Sequence, residues 1–490
     1  MEIRTYRNFI SGEWRESVAT KTTPNINPAN LDEVFGLVPH STCEEAAEAV
    51  AAAAAAFPAW RETPAPARGE FLLQAARIMR ERKEEIARML TCEEGKAIRE
   101  SRPEVQKAIQ VTEFMASAGR RLGGATMPSE MHQNLAFTLR QPLGAVAIIT
   151  PWNFPVSIPA WKIAPALVAG NTVVFKPASW TPASAELITQ CYADAGLPAG
   201  VLNLIYGSGS EVGNTIVDDP RVKALSFTGS NAIGVRLYEQ CARRGVRAQC
   251  EMGGKNPCVI LEDADLTLAV EALVGGAFGA TGQRCTAMSR AVVVDAIADT
   301  FLERLIARTQ QLQIGVGGDD NTFIGPAVSE EQLNSVLEYI QVGQREGAQL
   351  VYGGNRLTGG SYARGYFIAP TIFDRVTPEM RIAREEIFGP VLSVLRVPDF
   401  ETALQVANDV DMGLTSVIYT NDLARALKFV EKIEAGMAHV NSPWLGGEVQ
   451  LPFGGTKATG IGPHEMGDAV LDFYTDSKSV FINYNTPKGG

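Results

Sequence analysis

Residues that commonly bind metals are scarce in this sequence. It contains only four histidines, none of them clustered, and its seven cysteines include no Cys-x-x-Cys pair. Structural zinc sites need closely spaced ligands of these two types, so we expect no metal site. An odd number of scattered cysteines also argues against a disulfide framework and favours a reducing, cytoplasmic environment.

Long apolar runs and excess positive charge are also missing. No apolar stretch is long enough to span a bilayer, and residues 1–13 lack the continuous apolar core of a signal peptide. The net charge is −11 at pH 7, whereas nucleic acids and anionic membranes select basic surfaces. We therefore expect neither a membrane nor a nucleic-acid partner.

The pattern along the 490 residues predicts an α/β fold with more than one domain. Residues 44–120 have helical periodicity. Short apolar strands at 145–149, 171–175, 201–205 and 224–227 then alternate with helical segments, as in a doubly wound, Rossmann-like parallel sheet that binds a nucleotide. A second alternating block covers 256–445, with strands expected at 257–261, 290–294, 366–368, 391–396 and 415–419.

Two further segments, 133–141 and 478–484, alternate apolar and polar residues outside both blocks. Exposed strands of this kind invite pairing with another chain unless something covers them. They are either local surface strands or an oligomerisation arm, and the edge argument favours the arm. We expect a cofactor domain at 1–125 and 146–255, a catalytic domain at 256–445, and the arm at 126–145 and 475–490.

The first candidate for chemistry is Cys285, in the sequence Gly-Gln-Arg-Cys-Thr at 282–286. Glycine and alanine dominate the preceding 275–280, which leaves room near the thiol. The neighbouring Arg284 is expected to favour the thiolate electrostatically. A lone cysteine is more often structural, so this motif needs the others beside it.

Glu251 precedes a glycine pair at the end of an expected strand at 247–250. A carboxylate in a tight, partly apolar site has a raised pKa and can act as a general base near neutrality. The competing interpretation is a solvated loop glutamate.

Asn153 lies in Thr-Pro-Trp-Asn-Phe-Pro at 150–155, at the carboxyl end of the first parallel strand, where ligands bind in open α/β sheets. Two prolines stiffen this loop, and a carboxamide is a neutral donor suited to a developing oxyanion. A rigid connection without a ligand is the alternative.

Two more segments suit a dinucleotide, and a third matches a known fingerprint only in part. Lys176 and Ser179 follow the second strand and can reach ribose hydroxyls or a phosphate. Phe-Thr-Gly-Ser at 227–230 ends the fourth strand and begins a helix, whose free N–H groups attract a pyrophosphate. The segment at 207–213 matches the G-x-G-x-x-G fingerprint only in part.

Two late segments, Glu-Glu-Ile-Phe-Gly-Pro-Val at 385–391 and Pro-Phe-Gly-Gly-Thr-Lys-Ala-Thr-Gly at 452–460, complete a set of seven ordered motifs. Together these motifs resemble the aldehyde dehydrogenase superfamily, over about 8–484. The resemblance implies a nicotinamide-binding domain, a catalytic domain with the cysteine, and a strand arm that pairs subunits into homodimers or homotetramers.

The resemblance also implies a role for each catalytic residue. Cys285 corresponds to the nucleophile that attacks the aldehyde, and Glu251 to the base that activates it or the hydrolytic water. Asn153 and the backbone N–H of Cys285 correspond to the oxyanion hole. Lys162 and Glu465 fall where the family has a buried pair proposed to carry protons, although Lys162 is equally suited to a structural role.

For the cofactor, the resemblance implies that Glu386 holds the nicotinamide ribose, that Phe388 packs near the ring, and that Lys176 binds the adenine ribose. The cleft is expected to be lined by Ile149, Thr150, Trp152, Gly209, Gly213, Phe227, Gly229 and Ser230. Ser179 departs from the pattern, because NAD-preferring relatives often carry a glutamate there that repels a 2′-phosphate. We therefore predict that NADP is accepted alongside NAD.

The substrate is expected to be a carboxylated aldehyde, since the sequence near the nucleophile and at 180–182 is similar to succinate- and 2-oxoglutarate-semialdehyde dehydrogenases. Arg284 would bind the distal carboxylate, or alternatively pair with an acidic side chain. Trp444 would form a wall of the tunnel, or simply pack. Broad specificity for uncharged aldehydes, acyl transfer to coenzyme A and a non-enzymatic role remain as alternatives; Glu251 argues against the second, and the three intact catalytic residues against the third.

Overall fold

The computed structural model describes residues 3–442 and 446–484 and confirms the α/β class. The strands are β1 Asn8–Ile10, β2 Glu13–Arg15, β3 Thr22–Asn27, β4 Asn30–Pro39, β5 Thr126–Met127, β6 Asn134–Pro142, β7 Ala145–Ile149, β8 Thr172–Lys176, β9 Leu202–Leu204, β10 Val222–Thr228, β11 Arg247–Glu251, β12 Pro257–Ile260, β13 Arg290–Val294, β14 Gln349–Tyr352, β15 Thr371–Asp374, β16 Val391–Val397, β17 Met412–Gly413, β18 Thr415–Tyr419, β19 Met437–Val440, β20 Thr456–Lys457, β21 Gly460–Ile461 and β22 Thr475–Asn483.

The α-helices are α1 Cys43–Glu62, α2 Ala65–Glu81, α3 Lys83–Glu94, α4 Ile98–Ala118, α5 Ser157–Val168, α6 Pro182–Asp194, α7 Asn214–Asp218, α8 Asn231–Ala242, α9 Leu266–Phe278, α10 Asp295–Thr309, α11 Glu330–Arg345, α12 Arg381–Arg384, α13 Phe400–Asn408, α14 Leu423–Lys432 and α15 Val470–Tyr474. The first four confirm the helical region expected at 44–120. No helix in the described part of the chain is long and apolar enough to cross a membrane.

The expected doubly wound sheet is present, in the order β2-β1-β9-β8-β7-β10-β11-β21. Its strands from β9 to β11 are mutually parallel, whereas β1 and β21 join its edges in the antiparallel sense. Every residue of β7 and β8 is buried, as expected for central parallel strands covered on both faces by helices. The carboxyl ends of these strands therefore lie along one edge.

The second sheet has the order β14-β15-β16-β13-β12-β18-β19. It confirms four of the five strands expected there, but the strand at 366–368 is wrong. That segment forms only an isolated bridge between Arg356 and Ile368, and the sheet strand is β15, which begins after Pro370. The backbone of Tyr366 is already bonded outside the sheet, because its N–H donates to Pro28 and its carbonyl accepts from Ala327.

A third sheet has the order β22-β6-β5. Strands β22 and β6 pair antiparallel over their whole length, from Thr475 opposite Pro142 to Asn483 opposite Asn134. The two alternating segments of the sequence thus pair with each other. The proposed domain bounds and the function of this sheet as an arm remain predictions.

Candidate active site

One row of residues crosses the carboxyl edge of the first sheet. Lys176 lies opposite Ile149, Ile149 opposite Phe227, and Phe227 opposite Cys250. One position further on, Thr228 is the partner of Glu251. Strand pairing therefore brings the expected cofactor residues of three strands to one edge with the expected base.

Lys176 is buried, and its Nζ donates to the carbonyl of Pro177 at 2.9 Å. Burial lowers the pKa of its ammonium group to about 8, since the charged form loses solvation. Ser179, three residues later, is exposed. A cationic group and a hydroxyl thus lie close together along the loop between β8 and α6.

The glycine-rich segments provide space for a ligand. Gly209 begins a π-helical turn, Gly209–Gly213, and a Cβ added there would meet no described atom within 4 Å. A Cβ on Gly213 would lie 3.8 Å from the Lys176 side chain, so this turn borders the lysine. Ser230 is the N-cap of α8, but its side chain makes no capping hydrogen bond to the described residues. The first N–H groups of that helix are therefore available to an anion.

The nucleophile loop has an unusual backbone. Between α9 and Cys285, Ala280, Thr281 and Gly282 adopt φ values of +47°, +59° and +66°. The Thr281 hydroxyl donates to the Gly325 carbonyl at 3.0 Å. On the other side, Asn256 Nδ2 donates to the carbonyls of Cys285 and Ala287, each at 2.8 Å. Contacts before and after the cysteine thus fix its backbone.

Asn153 reaches this loop directly. Its side chain is buried, and Nδ2 donates to the Gln283 carbonyl at 3.1 Å. A carboxamide nitrogen carries two N–H groups, so a second donor remains. The structure therefore brings the expected oxyanion donor to the segment that carries the expected nucleophile.

The expectation that Arg284 favours the Cys285 thiolate is wrong. The Arg284 side chain turns to α4, where Nη2 contacts Glu100 Oε1 at 2.5 Å. Burial raises the pKa of the Cys285 thiol to about 12, and the negative charges of Glu386 and Glu251 add to the effect. The thiol is therefore protonated at neutral pH and needs a base.

The Arg284–Glu100 ion pair also bears on the substrate prediction. It matches the alternative in which Arg284 pairs with an acidic side chain. Of the guanidinium donors, the buried Nε has no hydrogen-bond partner within the described residues. Trp444, the other expected substrate residue, lies outside the residues that the structure describes.

Glu251 is buried at the end of β11, and its Oε2 has no hydrogen-bond partner in the described part of the chain. The carboxylate fits against two glycines: a Cβ would come within 2.7 Å of Oε1 at Gly454 and 3.4 Å at Gly460. Burial, reinforced by the charge of Glu465, raises the pKa of Glu251 well above its ordinary value. A raised pKa makes the ionised form of this carboxylate a stronger base toward a thiol or a water molecule.

Lys162 and Glu465 form a buried ion pair behind this carboxylate. Lys162 Nζ also donates to Ser226 Oγ at 2.8 Å, and Trp161 Nε1 donates to Glu465 Oε2 at 2.7 Å. The two charges of the pair act on Glu251 in opposite directions, because Glu465 raises its pKa and Lys162 lowers it. The two residues are adjacent, as the resemblance implied.

Glu386 and Phe388 approach from the second sheet. Glu386 Oε1 accepts the Gly254 N–H at 3.0 Å, and a Cβ on Gly253 would lie 2.0 Å from Oε2, so a larger residue at 253 would displace this carboxylate. Burial raises the pKa of Glu386 to about 7. The Phe388 ring meets Trp152 edge-on at 5.3 Å between centroids, which links the loop after β7 to the second sheet.

These residues fit a nicotinamide dinucleotide. The hydroxyls of Thr150 and Thr228, at the ends of β7 and β10, are buried without a hydrogen-bond partner among the described residues. Such groups are normally satisfied, so a polar ligand along this edge is a natural partner. Ile149, Phe227 and Gly229 lie beside them at the same edge.

Sequence reasoning missed several residues of this site. Asn256, which secures the nucleophile backbone, follows the glycine pair after Glu251 but carries no periodic signal. Gln283 accepts the Val328 N–H at 2.9 Å through its buried side chain. Lys96 and Glu104, which contact the Asn153 loop, lie more than 45 residues before it. Because these contacts are long-range, no local pattern in the sequence marks the two residues as part of the site.

Comparisons with known proteins agree with this geometry. The model of the aldehyde dehydrogenase family matches residues 14–480. The chain is 45% identical over 481 residues to the alpha-ketoglutaric semialdehyde dehydrogenase of Bacillus subtilis, covering 98% of this chain and 99% of that protein. It is 41% identical over 479 residues to the malonate-semialdehyde dehydrogenase 2 of Geobacillus kaustophilus, covering 98% of each.

Among solved structures, the betaine aldehyde dehydrogenase of Staphylococcus aureus in complex with NAD⁺ superposes with a TM-score of 0.95 at 35% identity. The match covers 98% of this chain and 95% of that one. With nearly the whole sequence matched and the expected nucleophile, base and oxyanion donor gathered at one site, the chain belongs to the aldehyde dehydrogenase family.

Proposed function

We propose that this protein oxidises 2-oxoglutarate semialdehyde to the carboxylic acid, with NAD(P) as the hydride acceptor. The observation that carries the chemistry is the Asn153 amide bonded to the nucleophile loop, beside a buried Glu251 oxygen that has no hydrogen-bond partner among the described residues. The substrate is proposed from the similarity to the Bacillus subtilis enzyme, which exceeds that to the malonate-semialdehyde dehydrogenase. Succinate semialdehyde is the next carboxylated candidate.

The reaction follows from the groups in place. Cys285 Sγ forms a bond to the aldehyde carbon while the thiol proton passes to Glu251. The second N–H of Asn153 and the backbone N–H of Cys285 stabilise the oxyanion. A nicotinamide ring, when bound, supplies the acceptor for the hydride that leaves this carbon. Glu251 releases the thiol proton to solvent and is ionised again when it accepts a proton from the water that attacks the thioester. It returns this proton to Cys285 Sγ as the carbon–sulfur bond breaks, which releases the acid and restores the thiol.

For the cofactor, we propose that Glu386 binds the nicotinamide ribose, that Lys176 binds the adenine ribose, and that Phe388 and Trp152 border the ring. The helix start at Gly229 and Ser230 would take the pyrophosphate. Exposed Ser179 leaves space and a hydroxyl where a 2′-phosphate would lie. NADP is therefore proposed as an accepted cofactor alongside NAD.

Arg284 remains the proposed anchor for the distal carboxylate of the substrate. A guanidinium has five N–H donors, and the contact with Glu100 uses only Nη2. The guanidinium would then pair with both the substrate carboxylate and Glu100. The alternative is an enzyme for uncharged aldehydes, in which the Arg284–Glu100 pair is structural.

Steady-state reduction of NAD and NADP with paired aldehydes tests these proposals. Succinate, malonate and 2-oxoglutarate semialdehydes are each compared with an uncharged aldehyde of similar length, using wild type and Cys285→Ala. The proposed function is supported if wild type prefers the carboxylated aldehydes and Cys285→Ala oxidises none of the aldehydes. Activity without that preference rejects the substrate class, and activity retained in Cys285→Ala rejects the nucleophile.

The anchor is tested separately with Arg284→Ala. We expect KM for 2-oxoglutarate semialdehyde to rise about tenfold or more, as for loss of a charged hydrogen bond, while KM for the uncharged aldehyde stays unchanged. The matched control is Arg102→Ala, which removes a partly exposed arginine that pairs with Glu84 and Asp320. Equal effects of Arg284→Ala on both aldehydes would refute the anchor but not the catalytic chemistry.

We also propose that the β22-β6-β5 sheet joins subunits into a homodimer or homotetramer. Leu135, Leu139 and Ile482 are each more than two-fifths exposed on it. Apolar strands left uncovered favour association with another chain. The division into a cofactor domain, a catalytic domain and this arm is part of the same proposal.

A further inference from the structure

Lys96 is a fully buried cation beside the Asn153 loop. It follows Gly95, which ends α3 in the left-handed conformation with φ +98°. Its Nζ donates to Glu104 Oε2 at 2.8 Å and to the backbone carbonyl of Asn153, and lies 4.2 Å from the centre of the Phe154 ring. Burying an ammonium group is costly unless it is paired. Here two of its partners belong to one loop.

Glu104, on α4, contacts the other end of that loop. Its second oxygen, Oε1, accepts the N–H groups of Val156 at 3.0 Å and Ser157 at 3.2 Å. These are the first N–H groups of α5, where a carboxylate is favoured by the helix dipole. The Lys96–Glu104 pair therefore bonds to the backbone on both sides of Phe154 and Pro155.

The same helix also reaches the nucleophile loop. Glu100 lies four residues before Glu104, so the two carboxylates share one face of α4. Glu100 contacts Arg284, the residue before Cys285. One face of α4 thus touches the loop with the oxyanion donor and the loop with the nucleophile.

From these contacts we infer that Lys96 and Glu104 are positioning residues, which hold the Asn153 amide at its working distance from the carbon that Cys285 attacks. This inference rests on the proposed function. Oxyanion stabilisation depends on donors fixed in place before the reaction, and a displacement of about 1 Å can lower the rate about 100-fold. A loop held only by its ends would not fix a side chain that well.

A purely structural ion pair would stabilise the fold without acting through Asn153, and a double-mutant cycle separates the two possibilities. The cycle compares wild type, Lys96→Met, Asn153→Ala and the double variant. We expect kcat to fall about 10- to 100-fold in Lys96→Met, with the Kd of the cofactor changed less than about threefold. Asn153→Ala is expected to lose about 10²- to 10³-fold, and the double variant no more than Asn153→Ala alone.

Asp374→Asn is the matched control. Asp374 is buried and pairs with Arg396 at 2.8 Å in the second sheet, away from both loops. It is expected to lower Tm as Lys96→Met does, but to leave kcat within about twofold in either the wild-type or the Asn153→Ala background.

Unchanged kcat in Lys96→Met, or losses that multiply in the double variant, would overturn the inference. Should Lys96→Met not yield folded protein, Glu104→Gln takes its place in the cycle, since glutamine keeps an acceptor for the α5 N–H groups and removes the charge. A wild type that oxidises no aldehyde would reject the proposed function instead, and the inference with it.

Discussion

Glu251 is a carboxylate whose environment favours the neutral form, because it is buried and lies near Glu465. A base must be ionised to accept a proton, so a raised pKa moves its working range upward. We therefore expect the kcat of wild type to fall as the pH decreases, because protonation removes the base. In Glu251→Gln that pH dependence should disappear, and steady-state kcat should fall about 10²- to 10⁴-fold. Stopped-flow and steady-state NAD(P)H formation across pH 6–9 measure both effects.

The control for this prediction is Glu186→Gln, which neutralises another buried glutamate, one that pairs with Arg4. Its pH profile should match that of wild type. A Glu251→Gln variant that retains the wild-type profile would show that another group is the base.

Ser179 is the residue that we expect to control the choice between NAD and NADP. Placing a glutamate there puts a negative charge near the proposed position of the 2′-phosphate. The charge repels the 2′-phosphate, but solvent screens it at this exposed site and limits the effect. Ser179→Glu should therefore lower kcat/KM for NADP about 10- to 100-fold and leave kcat/KM for NAD unchanged or higher. Ser179→Ala, which removes the hydroxyl without adding charge, should change the ratio of the two values by less than about fivefold. A wild type that prefers NAD by about 100-fold or more would contradict NADP acceptance.

Residues of the site that lie in local motifs could be predicted from the sequence, whereas contacts between distant segments could not. Cys285, Glu251 and Asn153 lie in distinctive motifs at strand ends, so their proximity could be predicted. The direction of Arg284 could not, because its partner Glu100 is 184 residues away in the chain. For the same reason the sequence predicted a thiolate favoured by Arg284, whereas burial and three carboxylates oppose ionisation.

At the scale of elements, the central parallel strands were predictable because burial on both faces gives continuous apolar runs. Strands β7, β13 and β18 begin and end at the predicted residues. The segment at 366–368 has the same apolar character, and Phe367 and Ile368 are buried, but its backbone bonds to other loops. Apolar pattern alone reports burial and does not show which backbone partner a segment finds.

The left-handed turn before the nucleophile supports a prediction about that loop. Gly282 has φ +66°, and a Cβ there would lie 2.2 Å from the Gly389 carbonyl oxygen. Gly282→Ala must shift one of the two segments, so we expect kcat to fall at least about tenfold and stability to drop by more than about 1 kcal/mol. Chemical denaturation and steady-state kinetics measure the two changes.

Gly275→Ala is the control for Gly282→Ala. Gly275 is in α9, seven residues earlier, and a Cβ there would meet no described atom within 4 Å. Alanine is the better helix former, so stability should stay equal or rise by up to about 1 kcal/mol, with kcat unchanged. If Gly282→Ala behaved like Gly275→Ala, the close contact with Gly389 would not constrain the loop.

Across the whole molecule, the site depends on segments that are distant in sequence. Strand β21 joins the first sheet beside Glu251, although it lies about 200 residues after β11. Strand β22 likewise returns to pair with β6. Such long-range pairings leave little local signal, so the sequence predicted β11 and β22 as strands but neither β21 nor its place in the first sheet.

The β22-β6 ribbon has one apolar face that the described residues leave partly uncovered. Ile482 pairs with Leu135 and Val480 with Phe137, and directly opposed residues share a face of a sheet. Leu135 is 44% exposed and Ile482 47% exposed, in a protein that buries most of its large apolar side chains. If another subunit covers this face, charges placed there must weaken assembly, because they would be buried without partners.

We therefore expect the double variant Leu135→Glu, Ile482→Glu to form a smaller oligomer than wild type in analytical ultracentrifugation, while its circular dichroism stays the same. The control is Val18→Glu, which places a charge at a residue that is 77% exposed outside this ribbon. If the double variant kept the wild-type mass, the ribbon would be a local surface sheet, the alternative that its sequence pattern left open. If only the double variant dissociates, the open face is the subunit interface, and activity measured on the smaller species would show whether the active site works without a partner.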